Sequence, residues 1–427
     1  MIALLLLLGL IVLIAINVPI AVALGVVALV AIVGSGGADA LLGSMITLYG
    51  GATGFPLIAI PLFVLAGAIM NTSGISRRLI AFASALIGFV RGGLAMVNVA
   101  ASLFFAEISG SAVADVAALG SILIPEMKKK GYTKEFTAAV TSSSASLAII
   151  IPPSIPMILY AAIADTSVVQ LFIAGIVPGL IGAALMMVLC YWFAVRLNFP
   201  IEEVFQLRRV WVTFKDAAWA LTLPVIILGG IFGGFTSPTE AAGLAVFAAL
   251  FIGLFVYREL DLPLLRSAMI EGAVQTAVVM LLVATSAVLG AYLTESRLPQ
   301  QLAAWIAGIT SEKVLILAML NLLLFVLGFF LHGAAAIILV VPVVLPIVKQ
   351  AGIDLVHFGL IVTLNLAIGQ QTPPVASVLI TACSIAKADV WAVTKVNVYF
   401  IAVLIAVLLL VTYVPSVALW PVEMFFR

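Results

Sequence analysis

EISGSAVADVAALGSILIPEMKKKGYTKEFTAAVTSSSASLAIIIPPSIPMILY, residues 107–160, is the stretch that decides the fold, because the chain contains it twice. Moved along by 221 positions it lies on residues 328–381 without a gap. Pro125 meets Pro346, Lys128 meets Lys349, Gly131 meets Gly352, and Pro152-Pro153 meets Pro373-Pro374. Ser111 falls on His332 and Ser144 on Asn365. A repeat this long in an apolar chain is the mark of a duplicated membrane unit.

Each copy carries two features that a plain membrane span lacks. About fifteen apolar residues lead into a small polar cluster, Ser109-Gly110-Ser111 in one copy and His332-Gly333 in the other. About fifteen more lead back to a Pro and a basic loop. Full spans would need roughly 20 apolar residues each, so a re-entrant hairpin fits better. A helix follows that meets a Pro-Pro pair in mid-run and then resumes. Pro lacks an N–H and clashes with the preceding turn, so the pair breaks the helix and frees carbonyl groups. Inside a bilayer, freed groups are tolerated only against protein, water or an ion. Two re-entrant helical hairpins and two broken helices, in matching places, predict a binding site near the middle of the membrane.

The composition sets the class. The 427 residues are 65% hydrophobic and 9% charged, with a formal net charge of +1, and the mean hydropathy is +1.35. That describes an all-α polytopic membrane protein, with the lipid bilayer as its solvent. No basic tract with interleaved aromatics offers a nucleic-acid surface. Cys190 and Cys383 stand far apart in apolar runs, without metal or redox spacing, and read as small hydrophobes. No glycine loop ends in Gly-Lys-Ser/Thr, so no nucleotide site is expected and an ion gradient is the energy source. The leading MIALLLLLGLIVLIAI lacks a basic n-region and a cleavage site, and reads as a retained span.

The duplication extends beyond the quoted stretch. Residues 1–33 are interrupted at Asn17-Val18-Pro19, and a shift of 219 puts Pro19 on Pro238. Residues 39–54 predict a helix outside the core, with 258–267 as counterpart. Spans at 55–71 and about 274–295 align near a shift of 223, with Gly67 on Gly290, and 166–195 pairs with 390–419. Residues 196–219 form the longest polar linker. If the first hairpin opens toward the cytoplasm and the second outward, fifteen of the 19 Lys and Arg residues lie inside and four outside. That bias predicts an inverted-topology repeat with both termini outside.

The polar residues at tips and breaks are the candidate site. Glycine lets the backbone turn at Ser109-Gly110-Ser111, short hydroxyls leave carbonyls open, and Asp115 a turn later offsets a cation's charge. Hard cations such as Na⁺ take several oxygens, which an unwound tip facing an unwound break supplies. Thr141-Ser142-Ser143-Ser144 leads into the first break, although helical hydroxyls also bond back to the preceding turn. The second copy offers Asn365, Gln370, Gln371 and Thr372. Substrate-facing candidates are Ser111, Ser144, His332, Asn365 and Gln371. No Arg or Lys lies at either tip or break, so an anion would be held by backbone N–H groups and half-helix N-termini. Ser237-Pro238-Thr239-Glu240 reads as a capping box that starts a helix. Glu107 and Asp115 should face the protein interior or water, Glu271 and Glu295 the interface.

FPLIAIPLFVLAGAIM (55–70), GGFTSPTEAAG (233–243), IPPSIPMILY (151–160) and GQQTPPVASVL (369–379) resemble the large membrane subunit of tripartite ATP-independent periplasmic (TRAP) transporters. The resemblance covers essentially the whole chain. It implies the elevator fold of the ion-transporter superfamily and Na⁺-coupled import of a small organic acid anion, of sialic acid or dicarboxylate type, with at least two Na⁺ ions. It implies two partners, a small four-helix membrane subunit and a periplasmic substrate-binding protein, and a multi-pass place in the bacterial inner membrane. On this likeness a mobile transport domain comprises 93–165 and 313–386. Scaffold helices comprise 1–92 and, with the linker, 166–312, and 387–427 forms a C-terminal span. The first Na⁺ site would pair Ser109, Gly110 and Ser111 with the break near Pro152. The second would pair His332-Gly333 with Thr372 and Pro373. Many relatives carry an acidic residue where this chain has His332, so the ligand set there departs from the family's, and backbone carbonyls could still serve.

A stand-alone Na⁺/carboxylate symporter or antiporter of the same superfamily would share the repeat but not the four motifs. An intramembrane enzyme would need a nucleophile with its base or paired catalytic acids, and no such signature occurs.

Overall fold

Apolar segments that must pair every backbone N–H and C=O in lipid have one local solution, the helix. The structure is a computed structural model that describes residues 6, 8–10, 12–13, 16, 18–201, 205–329, 333–373 and 376–426; the side chains at 38, 107–109, 298, 302–303 and 307 lie outside the description. Helices α1 (Ile20–Gly36), α2 (Leu41–Ala52), α3 (Ala59–Thr72) and α4 (Ile75–Ile87) lead to the hairpin α5 (Gly93–Ser109) and α6 (Ala112–Lys129). The first broken helix is α7 (Lys134–Ala145) and α8 (Ile155–Ala164), followed by α9 (Val168–Arg196). The second half runs α10 (Leu207–Phe232), α11 (Pro238–Phe251), α12 (Leu262–Glu295) and α13 (Leu298–Ile309). Its hairpin is α14 (Lys313–Gly328) and α15 (Gly333–Gln350), and its broken helix α16 (Leu355–Gly369) and α17 (Ser377–Ala386). Helices α18 (Val390–Tyr413) and α19 (Ser416–Phe426) close the described chain. Among the described residues, seven helical segments are long and apolar enough to cross a membrane.

The repeat is carried into backbone geometry. Helices α6 and α15 begin and end 221 residues apart. Gly131 and Gly352 follow them with φ of 90° and 60°, a left-handed conformation that costs glycine nothing. Two residues on, the Thr133 hydroxyl accepts from Phe136 N–H at 3.3 Å, and the Asp354 carboxylate accepts from Val356 and His357 N–H at 2.8 and 2.9 Å. Different side chains thus perform the same N-cap. Asp165 and Lys387 likewise share a φ of 53° ahead of α9 and α18. The hairpin arms hold 16 to 18 residues, ~24–27 Å at 1.5 Å per residue, short of a ~30 Å hydrocarbon layer.

One expected correspondence needs correction. The 39–54 helix was matched with 258–267, but 258–261 form a loop and the counterparts of both α2 and α3 are fused in the 34-residue α12. The first copy carries Gly54 and Pro56 at that junction, where the second has Ala277 and Val279. Without a breaker the helix continues. The helix outside the core is otherwise as expected, with Ser44 alone buried in α2.

Packing exchanges elements between the copies. Helix α8 lies against α15 and α16 of the second half, and α17 against α6 and α7 of the first. The helices before the breaks run through the centre, for α7 is buried from 136 to 145 and α16 from 356 to 369. Long helices α9 and α18 pack on this core, α9 on α5, α16 and α18, and α18 on α7 and α16. Residues 166–195, expected with the scaffold, and 390–413 of the expected C-terminal span thus lie as α9 and α18 against this core. Around the other side, α12 packs on α1, α2 and α3, α11 on α3, and α10 on α4. An ion cluster ties this outer group together. Glu259 accepts from Arg77 (2.9 Å) and Arg78 (2.8 Å), Arg78 also reaches Asp216 (3.2 Å), and the Arg78 guanidinium stands 3.8 Å from the centre of the Tyr257 ring. Burial of Cys190 and Cys383, and the capping box of Ser237 and Glu240 at α11, match expectation.

Candidate functional site

The first tip meets the first break. Gly110 has φ +58°, and a Cβ placed there would stand 2.9 Å from the Pro153 carbonyl oxygen and 3.2 Å from the Ile155 nitrogen. The chain turns onto α6 at Ser111, whose hydroxyl accepts from Ala114 N–H at 3.4 Å. Asp115, in the first turn of α6, is fully buried. That position favours a carboxylate, since a helix N-terminus carries partial positive charge. Across the break, α7 passes through a 3₁₀ turn at Ser146–Ile149. The Ser154 hydroxyl then donates to the Ile149 carbonyl (2.6 Å) and accepts from Met157 N–H (3.4 Å), starting α8. The side chains of Glu107 and Ser109 lie outside the described residues.

The second tip also meets its break, through other positions. A Cβ on Gly333 would come within 2.6 Å of Gln370 Nε2, and one on Gly369 within 2.6 Å of the Gly328 carbonyl oxygen. The ends of α14 and α16 are thus in backbone contact. Thr372 closes this end, its N–H bonding Gly369 O at 3.0 Å and its hydroxyl Ile368 O at 2.9 Å. Pro373 follows it, half-buried. His332 and Pro374 lie outside the described residues.

Behind each pair stands a buried polar network. In the first half, Asn98 Nδ2 donates to Thr141 Oγ1 (2.6 Å), Ser144 Oγ to Asn98 Oδ1 (3.2 Å), and Ser102 Oγ to Ser144 Oγ (2.8 Å). In the second, Asn365 Nδ2 donates to Asn321 Oδ1 (2.6 Å) and Asn321 Nδ2 to Thr412 Oγ1 (3.1 Å). Asn365 Oδ1 is buried and has no hydrogen-bond donor among the described residues. Gln371, expected to face substrate, is fully buried with its side-chain amide bonded to Ser142, Ser146 and Asn397. Sequence reasoning missed Asn98, Asn321 and Asn397. Their signal was a lone amide in an apolar helix, which membrane helices rarely carry without a partner.

Chemically, the two pairs gather neutral oxygens from carbonyls, hydroxyls and amides, with the Asp115 carboxylate beside the first. Such a set suits a hard cation better than a transition metal. Among the described residues no three His, Cys, Asp or Glu side chains converge. Two cavities flank this core. One of about 320 Å³ separates α2 and α12 from α8 and α15. The other, of about 360 Å³ and lined by apolar side chains, separates α4 and α10 from α5, α9 and Pro152.

A duplicated, all-helical membrane chain with paired tips and breaks has the build of a transport protein. Residues 7–417 match the family model described as tripartite ATP-independent periplasmic transporter, DctM component, and the chain belongs to that family. It is 40% identical over 406 residues to the isethionate TRAP transporter permease protein DctMQ of Oleidesulfovibrio alaskensis, covering 95% of this chain but 64% of that protein. To the C4-dicarboxylate TRAP transporter large permease protein DctM of Pseudomonas aeruginosa it is 38% identical, covering 89% of each. The sialic acid TRAP transporter permease protein SiaT of Haemophilus influenzae shares 37% identity over 85% of this chain and 59% of its own length. Among solved structures, the YdaH transporter of Alcanivorax borkumensis superposes with a TM-score of 0.58 over 88% of both chains at 17% identity, a likeness of fold.

Proposed function

We propose that this chain is the permease of a Na⁺-coupled importer for a small organic acid anion, delivered by a periplasmic binding protein and shared with a small membrane subunit. The observation that carries this reading is a tip–break contact in each copy of the 221-residue repeat. Each pair brings backbone oxygens and half-helix ends together inside an apolar protein, an arrangement costly in lipid unless protein, water or an ion meets those groups, and its recurrence in both copies favours an ion. The first Na⁺ would take oxygens around Ser109, Gly110, Ser111 and Pro152, with Asp115 adding charge. The second would take those of Gly333, Thr372 and Pro373, with Asn365 Oδ1 at hand. The anion would lie between them, at Ser111, Ser144, His332 and the N-termini of α8 and α17. Relatives named for isethionate, C4-dicarboxylate and sialic acid all point to an organic acid. Movement would be of elevator type, the core from α5 to α9 and α14 to α18 sliding against α1 to α4 and α10 to α13. The two cavities lie along that seam.

The test is uptake into liposomes holding this chain and its small subunit, with binding protein outside and C4-dicarboxylate, sialic acid and isethionate offered in turn. An inward Na⁺ gradient should drive accumulation of one acid. Accumulation that persists in K⁺ alone, or without binding protein, would refute the reading.

A further inference from the structure

We propose that Gln371, Asn397 and the serines of α7 form a bridge by which the first break sets the geometry of the second, coupling the ligands of the two pairs. The proposal rests on the cation reading above. Gln371 opens the second break, directly before Thr372. Its side-chain nitrogen donates to the Ser142 carbonyl (2.6 Å) and to the Ser146 hydroxyl, at the start of the 3₁₀ turn of the first break. Asn397 of α18 donates to both oxygens of Gln371, side-chain (3.2 Å) and backbone (3.3 Å), and its own oxygen accepts from the Ser143 hydroxyl (2.6 Å). All five residues are fully buried.

Both amides are thereby committed to protein partners. All four donor hydrogens of Gln371 and Asn397 are engaged by protein, and each side-chain oxygen accepts one bond there. Fully buried and with every donor in use, they act by positioning. The cluster also departs from the repeat. At the matching offsets of 221 and 222, the first copy has Ile150 and Gly175. There α9 comes close directly, for a Cβ on Gly175 would stand 2.2 Å from the Ile150 carbonyl. In the second copy the corresponding Gln371 carbonyl is instead reached through the Asn397 side chain. Among the described residues this bridge has no second copy at the matching positions Ile150 and Gly175. A cation that orders the first pair holds the end of α7 in place. Ser142 and Ser146 then hold Gln371, and the second pair forms at lower ordering cost, a coupling that must act reciprocally.

The experiment is binding of radioactive Na⁺ to the purified full chain, titrated with KCl as balancing salt, for the native protein, Asn397→Ala and Ser143→Ala. The native chain should bind with a Hill coefficient above unity. Asn397→Ala removes three bonds and should bring the coefficient to unity and raise half-saturation about five- to tenfold. Ser143→Ala removes one outer bond and should fall between. A purely structural role would lower the yield of folded chain and leave the coefficient unchanged. Native steepness in both variants overturns the bridge, and Ser143→Ala decides alone if Asn397→Ala does not fold. Absence of saturable Na⁺ binding in the native chain is a different signature; it removes the cation reading and the coupling with it.

Discussion

Gly110 and the Pro153 carbonyl touch so closely that a single methyl group at residue 110 would lie 2.9 Å from that oxygen. The contact joins a hairpin tip to a helix break across 43 residues of chain, and it needs a left-handed φ of +58°. Gly110→Ala is expected to cost about 1–2 kcal/mol for that backbone conformation alone. It should also push the tip off the break. Uptake should fall at least about tenfold, the equivalent of 1.4 kcal/mol, while size-exclusion profiles stay monodisperse. Native uptake by this variant would show that the tip is not a working part.

Among the described residues, Asp115 is the one carboxylate fully buried at the first tip. Asp115→Asn keeps its shape and removes its charge. The Na⁺ concentration for half-maximal uptake should rise about tenfold or more, at 1.4 kcal/mol per decade, with assembly on the small subunit retained. Uptake saturating at native Na⁺ levels would mean that carbonyl oxygens suffice.

The two halves should face opposite ways across the membrane. Lys129 and Gln350 end matching helices, 221 residues apart. Single cysteines at these positions should differ toward an impermeant thiol reagent, with position 350 labelled from outside and position 129 protected until the membrane is opened. Equal labelling at both would exclude the inversion.

Glu259 gives a pH signature. The hydrogen bond from Arg78 holds its pKa below the ordinary 4.5, and the charges of Arg78 and Arg77 act in the same direction. A carboxylate depressed in the folded state contributes stability above its unfolded pKa and loses it as pH falls through the folded value. Because the group is partly exposed, its contribution is about 1 kcal/mol at most. Glu259→Gln should melt about 2 °C lower at pH 7. The gap should close as pH drops below 4.5. A gap unchanged across that range would mean the cluster acts through packing.

Much of this was legible in the residues. Pro-Pro pairs, the Gly131 and Gly352 turns and the 221-residue offset are local punctuation, and backbone sterics make such signals act wherever they fall. For the same reason the class of protein, the order of hairpins and breaks, and the capping box at Ser237 could be read before any coordinates. The fusion of α12 was legible too, had the loss of Gly54 and Pro56 from the second copy been weighed.

The partner of each buried polar group was not. Gln371 looked like a substrate contact because a lone amide beside a break has no visible partner in sequence. Its partner carbonyl at Ser142 lies 229 residues away, brought there by helix packing. The same holds for α9 and α18, whose apolar runs do not say which body they cover. An apolar surface satisfies lipid and protein almost equally, so in a membrane chain hydrophobicity marks what is a helix. Shape, close backbone approach and scarce hydrogen bonds decide which helices touch.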